Sequence, residues 1–115
     1  MTIREIMETL DAKLLTPDAD MAREVHTACG SDMMSDVLAY VKDQAVLVTG
    51  LNNPQVVRTA DMMDMVCIVF VRGKMPDEMI LKLASERGIA VLATTKPMFE
   101  TCGRLYEKGL HGGIA

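Results

Sequence analysis

VCIVFVRGKMPDE, residues 66–78, is the stretch from which the rest of the chain is read. Its first six residues are apolar and rich in β-branched side chains, which suits a strand buried on both faces. Arg72, Gly73 and Lys74 break the run. Pro76 at the first helical position, with Asp77 and Glu78 in the first turn, then predicts a helix start. Strand, polar turn and helix follow one another within thirteen residues.

The same unit recurs on either side. Residues 45–49 form an apolar run that leads into Gly50-Leu51-Asn52-Asn53 and Pro54. Asn53 reads as an N-cap and Pro54 as the first helical residue, with Val56, Val57, Ala60 and Met63 as the buried stripe. In the middle unit Ile80, Leu83 and Ala84 face inward, and Gly88 ends the helix. Residues 89–93 form the third run, followed by Thr94-Thr95-Lys96 and Pro97. Met98, Cys102, Leu105 and Tyr106 line the last helix, which Gly109 closes. The three runs begin near residues 45, 66 and 89, so they lie 21 and 23 residues apart. Repeats of that kind predict right-handed βαβ crossovers. The expected fold is a three-layer α/β/α domain with a mainly parallel sheet built from βα repeats. One domain is expected over residues 1–110, with 111–115 as a flexible C-terminal tail.

The N-terminal third is less regular. Thr2 and Glu5 have the spacing of a capping box, and Ile3, Ile6, Met7 and Leu10 give one apolar helix face. Residues 13–16 suit an edge strand before Pro17-Asp18, and residues 24–29 a second strand ended by Gly30. Ser31, Asp32, Ser35 and Asp36 read as caps of a short helix over 33–42, with Asp43-Gln44 turning out of it.

Composition narrows the classes. The chain has 115 residues, half of them hydrophobic and 24% charged, which suits one folded domain with a single core. Two Phe, two Tyr and no Trp leave that core aliphatic, and the 11 methionines help to fill it. A net charge of −4 and the lack of any basic run argue against nucleic acid. No stretch approaches the roughly 18 apolar residues that a membrane span needs. The N-terminal residues lack a signal-peptide core, so a cytoplasmic location away from membranes is expected. Cys29, Cys67 and Cys102 are odd in number and have no CxxC spacing, so they read as free thiols. His26 and Cys29 form an HxxC pair without a second pair, and neither metal nor cofactor is assigned.

In a parallel α/β sheet, ligands sit beyond the carboxyl ends of the strands, where helix N-termini point. That rule gathers Thr49, Gly50, Asn52 and Asn53 with Arg72, Gly73 and Lys74, and with Thr94, Thr95 and Lys96. Cationic side chains, hydroxyls and three helix starts suit an anion or a nucleotide phosphate. The same residues also cap helices and turn corners. Catalysis finds less support. His26 and His111 are the only histidines, no nucleophile stands beside a base, and no enzyme activity is expected. DMMDM at 61–65 has more methionines than one helix can turn inward, which predicts the contact patch of a two-fold homodimer.

Taken whole, residues 1–110 resemble the DRTGG domain family. The resemblance is carried by SDMMSDVLAYVKDQAVLVTG (31–50), VCIVFVRGKMPDEMI (66–80) and GIAVLATTKPMFETCGRLYEKGL (88–110). Where the family favours a glycine pair after the strand, this chain has Arg72-Gly73, and it contains no contiguous Asp-Arg-Thr. Such domains resemble the N-terminal domain of bacterial HPr kinase/phosphorylase and occur beside CBS domains and phosphotransacetylases. The resemblance therefore implies a non-catalytic regulatory or dimerisation module, with a small anionic or nucleotide ligand at its rim. Some stand-alone members are linked with hydrogenase systems, which implies a redox accessory protein as the alternative, meeting an enzyme partner through cysteines or a Met surface. A kinase-like label also attaches to stand-alone members. The chain lacks the GxxxxGK[ST] loop such chemistry would use, and no catalytic residue carries over.

Overall fold

In the computed structural model, which describes residues 1–40 and 43–112, Cys67–Phe70 forms the central strand of a five-stranded sheet. Along the chain the elements are α1 (Ile3–Leu10), β1 (Lys13–Leu14), β2 (Thr27–Gly30), α2 (Met34–Val37) and β3 (Ala45–Thr49). They continue as α3 (Gln55–Met62), β4 (Cys67–Phe70), α4 (Glu78–Glu86), β5 (Ala90–Ala93) and α5 (Met98–Glu107). The strand order is β1-β5-β4-β3-β2. The pairs β2–β3, β3–β4 and β4–β5 are parallel, and β1 joins β5 antiparallel, giving a mixed sheet.

Strands β3, β4 and β5 are buried along their whole length, as their continuous apolar runs require. Their side chains part alternately to two cores. Val46, Val48, Cys67, Val69 and Leu92 meet Ile3, Ile6 and Leu10 of α1 and Leu105 of α5. Leu47, Ile68, Phe70 and Val91 meet α2, α3 and α4 through Val37, Val57 and Ile80. Helices thus cover both faces of the sheet. Among the described residues, no helix is long and apolar enough to cross a membrane.

Several local expectations hold. Thr2 and Glu5 complete their capping box, the Asn53 side chain accepts the Gln55 N–H at 2.8 Å, and Gly88 and Gly109 take positive φ after their helices. Others shift. Asp77, not Pro76, starts α4: its carboxylate accepts the Ile80 N–H at 3.0 Å, which leaves Pro76 buried one residue outside. Helix α2 is four residues long, and the rest of the expected helix either turns (38–40) or, at 41–42, lies outside the described residues. Tyr106, expected on the buried side of α5, is exposed, and Thr101 takes the buried place beside Leu105. His111, expected in the tail, stacks on Tyr106 with ring centroids 4.4 Å apart, and its carbonyl accepts the Ala28 N–H at 2.9 Å. Residues 113–115 of that tail lie outside the described residues.

The methionines of 61–65 also separate. Met62 is 70% exposed, Met63 is half-buried, and Met65 leaves the helix to join the core. The left-handed backbone of Asp64 makes that turn (φ 54°).

Candidate functional site

The chain leaves β4 toward one face of the sheet and β5 toward the other, because α4 packs with α3 and α5 packs with α1. Adjacent parallel strands whose connections diverge open a crevice at their carboxyl ends. Here that crevice is laced by backbone. The Arg72 N–H donates to the Lys96 carbonyl and the Gly73 N–H to the Thr94 carbonyl, both at 2.9 Å. The accessible ground therefore shifts one strand over, to the ends of β2, β3 and β4.

Asp32 organises that ground. Its Oδ1 accepts the Gly50 N–H at 2.6 Å and the Thr49 hydroxyl at 3.3 Å, and its Oδ2 lies 3.8 Å from Nη2 of Arg72. Thr49 is buried and its oxygen also accepts the Leu51 N–H at 3.1 Å. The hydroxyl is thus fixed as a donor toward Asp32. Arg72 and Asp32 are each about half exposed, at 52% and 49%. An exposed pair at that separation contributes little stability and can exchange partners readily.

The Arg72 side chain lies directly over Gly50. A β-carbon built at Gly50 would stand 3.2 Å from Cζ of Arg72 and overlap its Nη2. Glycine is required there by close approach rather than by backbone angle. At Arg72 the reverse is true: its φ is 57°, followed by 70° at Gly73. A non-glycine residue in that region costs about 1 kcal/mol. This is the position where a glycine pair was expected, and arginine occupies it in glycine's conformation.

The remaining rim residues divide by occupation. Thr94 is buried, donates to the Leu10 carbonyl at 2.9 Å and accepts the Lys96 N–H at 3.3 Å, so it fastens the turn to α1. Lys96 extends its ammonium to 3.5 Å from Asp11, with only 15% of its side chain exposed. Asn52 donates to the Met75 carbonyl at 3.3 Å, and the Asn53 side chain accepts the Gln55 N–H from one residue before the cap position of α3, which Pro54 holds instead. Gly73, Lys74 and Thr95 are exposed. Of the residues read from the sequence, Thr49, Gly50, Arg72, Gly73 and Lys74 adjoin the Asp32 carboxylate or the turn facing it. Thr94 and Lys96 are committed to the opposite face.

The residue that sequence reasoning missed is Asp32. Its neighbours in sequence predict a helix cap, but the cap position belongs to Met33, which makes no side-chain cap bond. Ser31 does act locally, its hydroxyl accepting the Met33 N–H at 2.9 Å. His26, of the HxxC pair, has its Nδ1 3.3 Å from Asp43. Among the described residues, no group of three or more His, Cys, Asp or Glu side chains is placed to hold a metal ion. Burial pushes the Cys67 thiol up to about 12 and raises that of Cys102.

A family comparison matches the DRTGG domain to residues 5–107. The chain belongs to the DRTGG domain family. Among solved structures, this DRTGG domain is similar to the CBS and DRTGG domains of the regulatory region of Clostridium perfringens pyrophosphatase, complexed with the activator diadenosine tetraphosphate. The likeness has a TM-score of 0.74 at 16% identity and covers 90% of this chain but 45% of that one. It shows a shared fold. This DRTGG domain thus spans less than half the length of the regulatory chain it resembles. Comparison with curated proteins finds no match.

Proposed function

We propose that this DRTGG domain is a non-catalytic regulatory module that binds a small anionic ligand of the nucleotide class on the rim between β3 and β4. One observation carries the reading. A half-exposed guanidinium, on a residue with a glycine-like backbone conformation, lies over Gly50 at the end of a parallel strand and 3.8 Å from Asp32. A guanidinium with half its surface open suits a phosphate, while the Gly50 N–H and the Thr49 hydroxyl beneath it already donate to Asp32. Lys74 and Thr95 stand ready to extend contact along the polyanion. Support for a nucleotide comes from the pyrophosphatase regulatory region, which is complexed with one.

The test is titration of the domain with diadenosine tetraphosphate, ATP, AMP, pyrophosphate and phosphate while the Gly50, Arg72 and Thr95 amide resonances are followed. Saturable shifts at these amides, lost in Arg72→Ala, are expected. A flat response across the panel refutes the site.

Self-association belongs to the same reading. Exposed Met62 lines a cleft of about 300 Å³ with Val57, Leu83, Arg58 and the ion-paired Asp61 and Arg87. Met62, Val57 and Leu83 offer a second copy an apolar contact within that charged border. Sedimentation at micromolar concentration should show a dimer that Met62→Glu dissociates; a monomer in the parent protein removes this part.

A further inference from the structure

We infer that Asp32 is a built-in occupant of this rim and holds its anion affinity down until a ligand's phosphate takes over Arg72. The inference rests on the ligand reading above and adds the regulation of that site.

The geometry is that of an anion already bound. A carboxylate oxygen sits on a backbone N–H at 2.6 Å and a hydroxyl at 3.3 Å, with the second oxygen turned to a guanidinium. These are the contacts a phosphate oxygen would make. The two carboxylate oxygens are held unequally. Oδ1 has two donors at hydrogen-bond distance, whereas Oδ2 and Nη2 stand 3.8 Å apart, beyond a direct hydrogen bond. Arg72 is therefore the side of the site that a ligand can enter first, with Asp32 still on Gly50. A negative charge so close also lowers the local potential felt by any incoming anion, and half-exposure on both sides limits that effect to a modest factor. Asp32 does not hold the cap position of α2, which belongs to Met33. Its bonds run instead to β3, eighteen residues on.

Asp32→Asn tests this, because the amide oxygen can still accept the Gly50 N–H while the charge is gone. Inorganic pyrophosphate binding is measured by calorimetry for the parent, Asp32→Asn, and Glu86→Gln. The last removes one exposed negative charge at the far end of α4. Asp32→Asn should bind pyrophosphate about fivefold more tightly than the parent, the order expected for losing one exposed charge contact. Glu86→Gln should match the parent, and adding Arg72→Ala should abolish the gain. Equal tightening by Asp32→Asn and Glu86→Gln would show bulk charge alone and overturn the inference. So would unchanged or weaker binding by Asp32→Asn when the parent binds, which would leave the ligand reading intact. Absence of binding by both the parent and Asp32→Asn would overturn the two together.

Discussion

The backbone N–H of Arg72 donates to the carbonyl of Lys96 at 2.9 Å, so the turns after β4 and β5 form one piece of structure. Arg72 is anchored by its main chain on one side while its guanidinium reaches the other way, over Gly50 toward Asp32. Backbone and side chain of this residue thus serve different neighbours, and substitutions can separate them.

Arg72→Gly keeps the main-chain bonds and relieves the left-handed conformation (φ 57°). Stability by urea denaturation should rise by about 0.5–1 kcal/mol, since the lost surface pair contributes little. Pyrophosphate binding should vanish in the same protein. A drop in stability would mean that the side chain, not only the backbone, holds the rim.

Gly50→Ala places a methyl group against the guanidinium of Arg72. The obstacle is the end of a flexible side chain, so the expected loss of stability is under about 1 kcal/mol. Arg72 must swing aside, and anion affinity should fall severalfold. Amide spectra that show Gly50→Ala binding like the parent would dissociate Arg72 from the site.

Thr16 is buried, and its hydroxyl oxygen accepts the Val91 N–H at 3.0 Å. Thr16→Val should cost about 1–3 kcal/mol by leaving that amide unpaired, while Thr16→Ser should recover most of the loss. Equal losses from the two variants would point to the methyl group instead.

Thr101 in α5 presents the opposite case, a fully buried hydroxyl oxygen without a hydrogen-bond partner among the described residues. Thr101→Val replaces it at nearly equal volume, so stability should be unchanged or gain about 1 kcal/mol. A clear loss in thermal denaturation would reveal a bond made in solution.

The repeating units were legible because their signals are local. Pro54, Gly88 and Asn53 act within a few residues of themselves, and the apolar runs at 45–49, 66–71 and 89–93 contain β3, β4 and β5. The short strands were harder to delimit. Residues 24–29 cover most of β2, but Glu24 bridges Thr2 instead, and Gly30 is the last strand residue, not its end mark. Asp32 was illegible for a different reason. Its partners are fixed by the register that sets Gly30 opposite Val48, and no short-range pattern encodes that pairing. Local chemistry suggested a cap, and tertiary packing gave Asp32 another role. Lys96 shows the same limit: its ammonium goes to Asp11, far away in the sequence.

Cys67 makes a pH prediction. Its thiol is fully buried, and desolvation lifts its pKa from 9.0 to about 12. A raised folded-state pKa means that the unfolded chain ionises first. The contribution is intact below pH 9 and declines as pH rises toward 12, by about 1.4 kcal/mol per unit. Urea denaturation at pH 8 and pH 10 should show that decline in the parent and a shallower one in Cys67→Ala. Identical slopes would assign the alkaline loss to other groups.

The carbonyl of His111 on the Ala28 N–H bears on how the border of the sheet is closed. Strand β2 would otherwise offer an open ladder, and at the other border β1 is only two residues long. A sheet bounded by a stub on one side and a latched strand on the other gives an incoming strand little to pair with. The sheet is thereby guarded against extension from chain to chain, and helical surfaces become the natural ground for assembly.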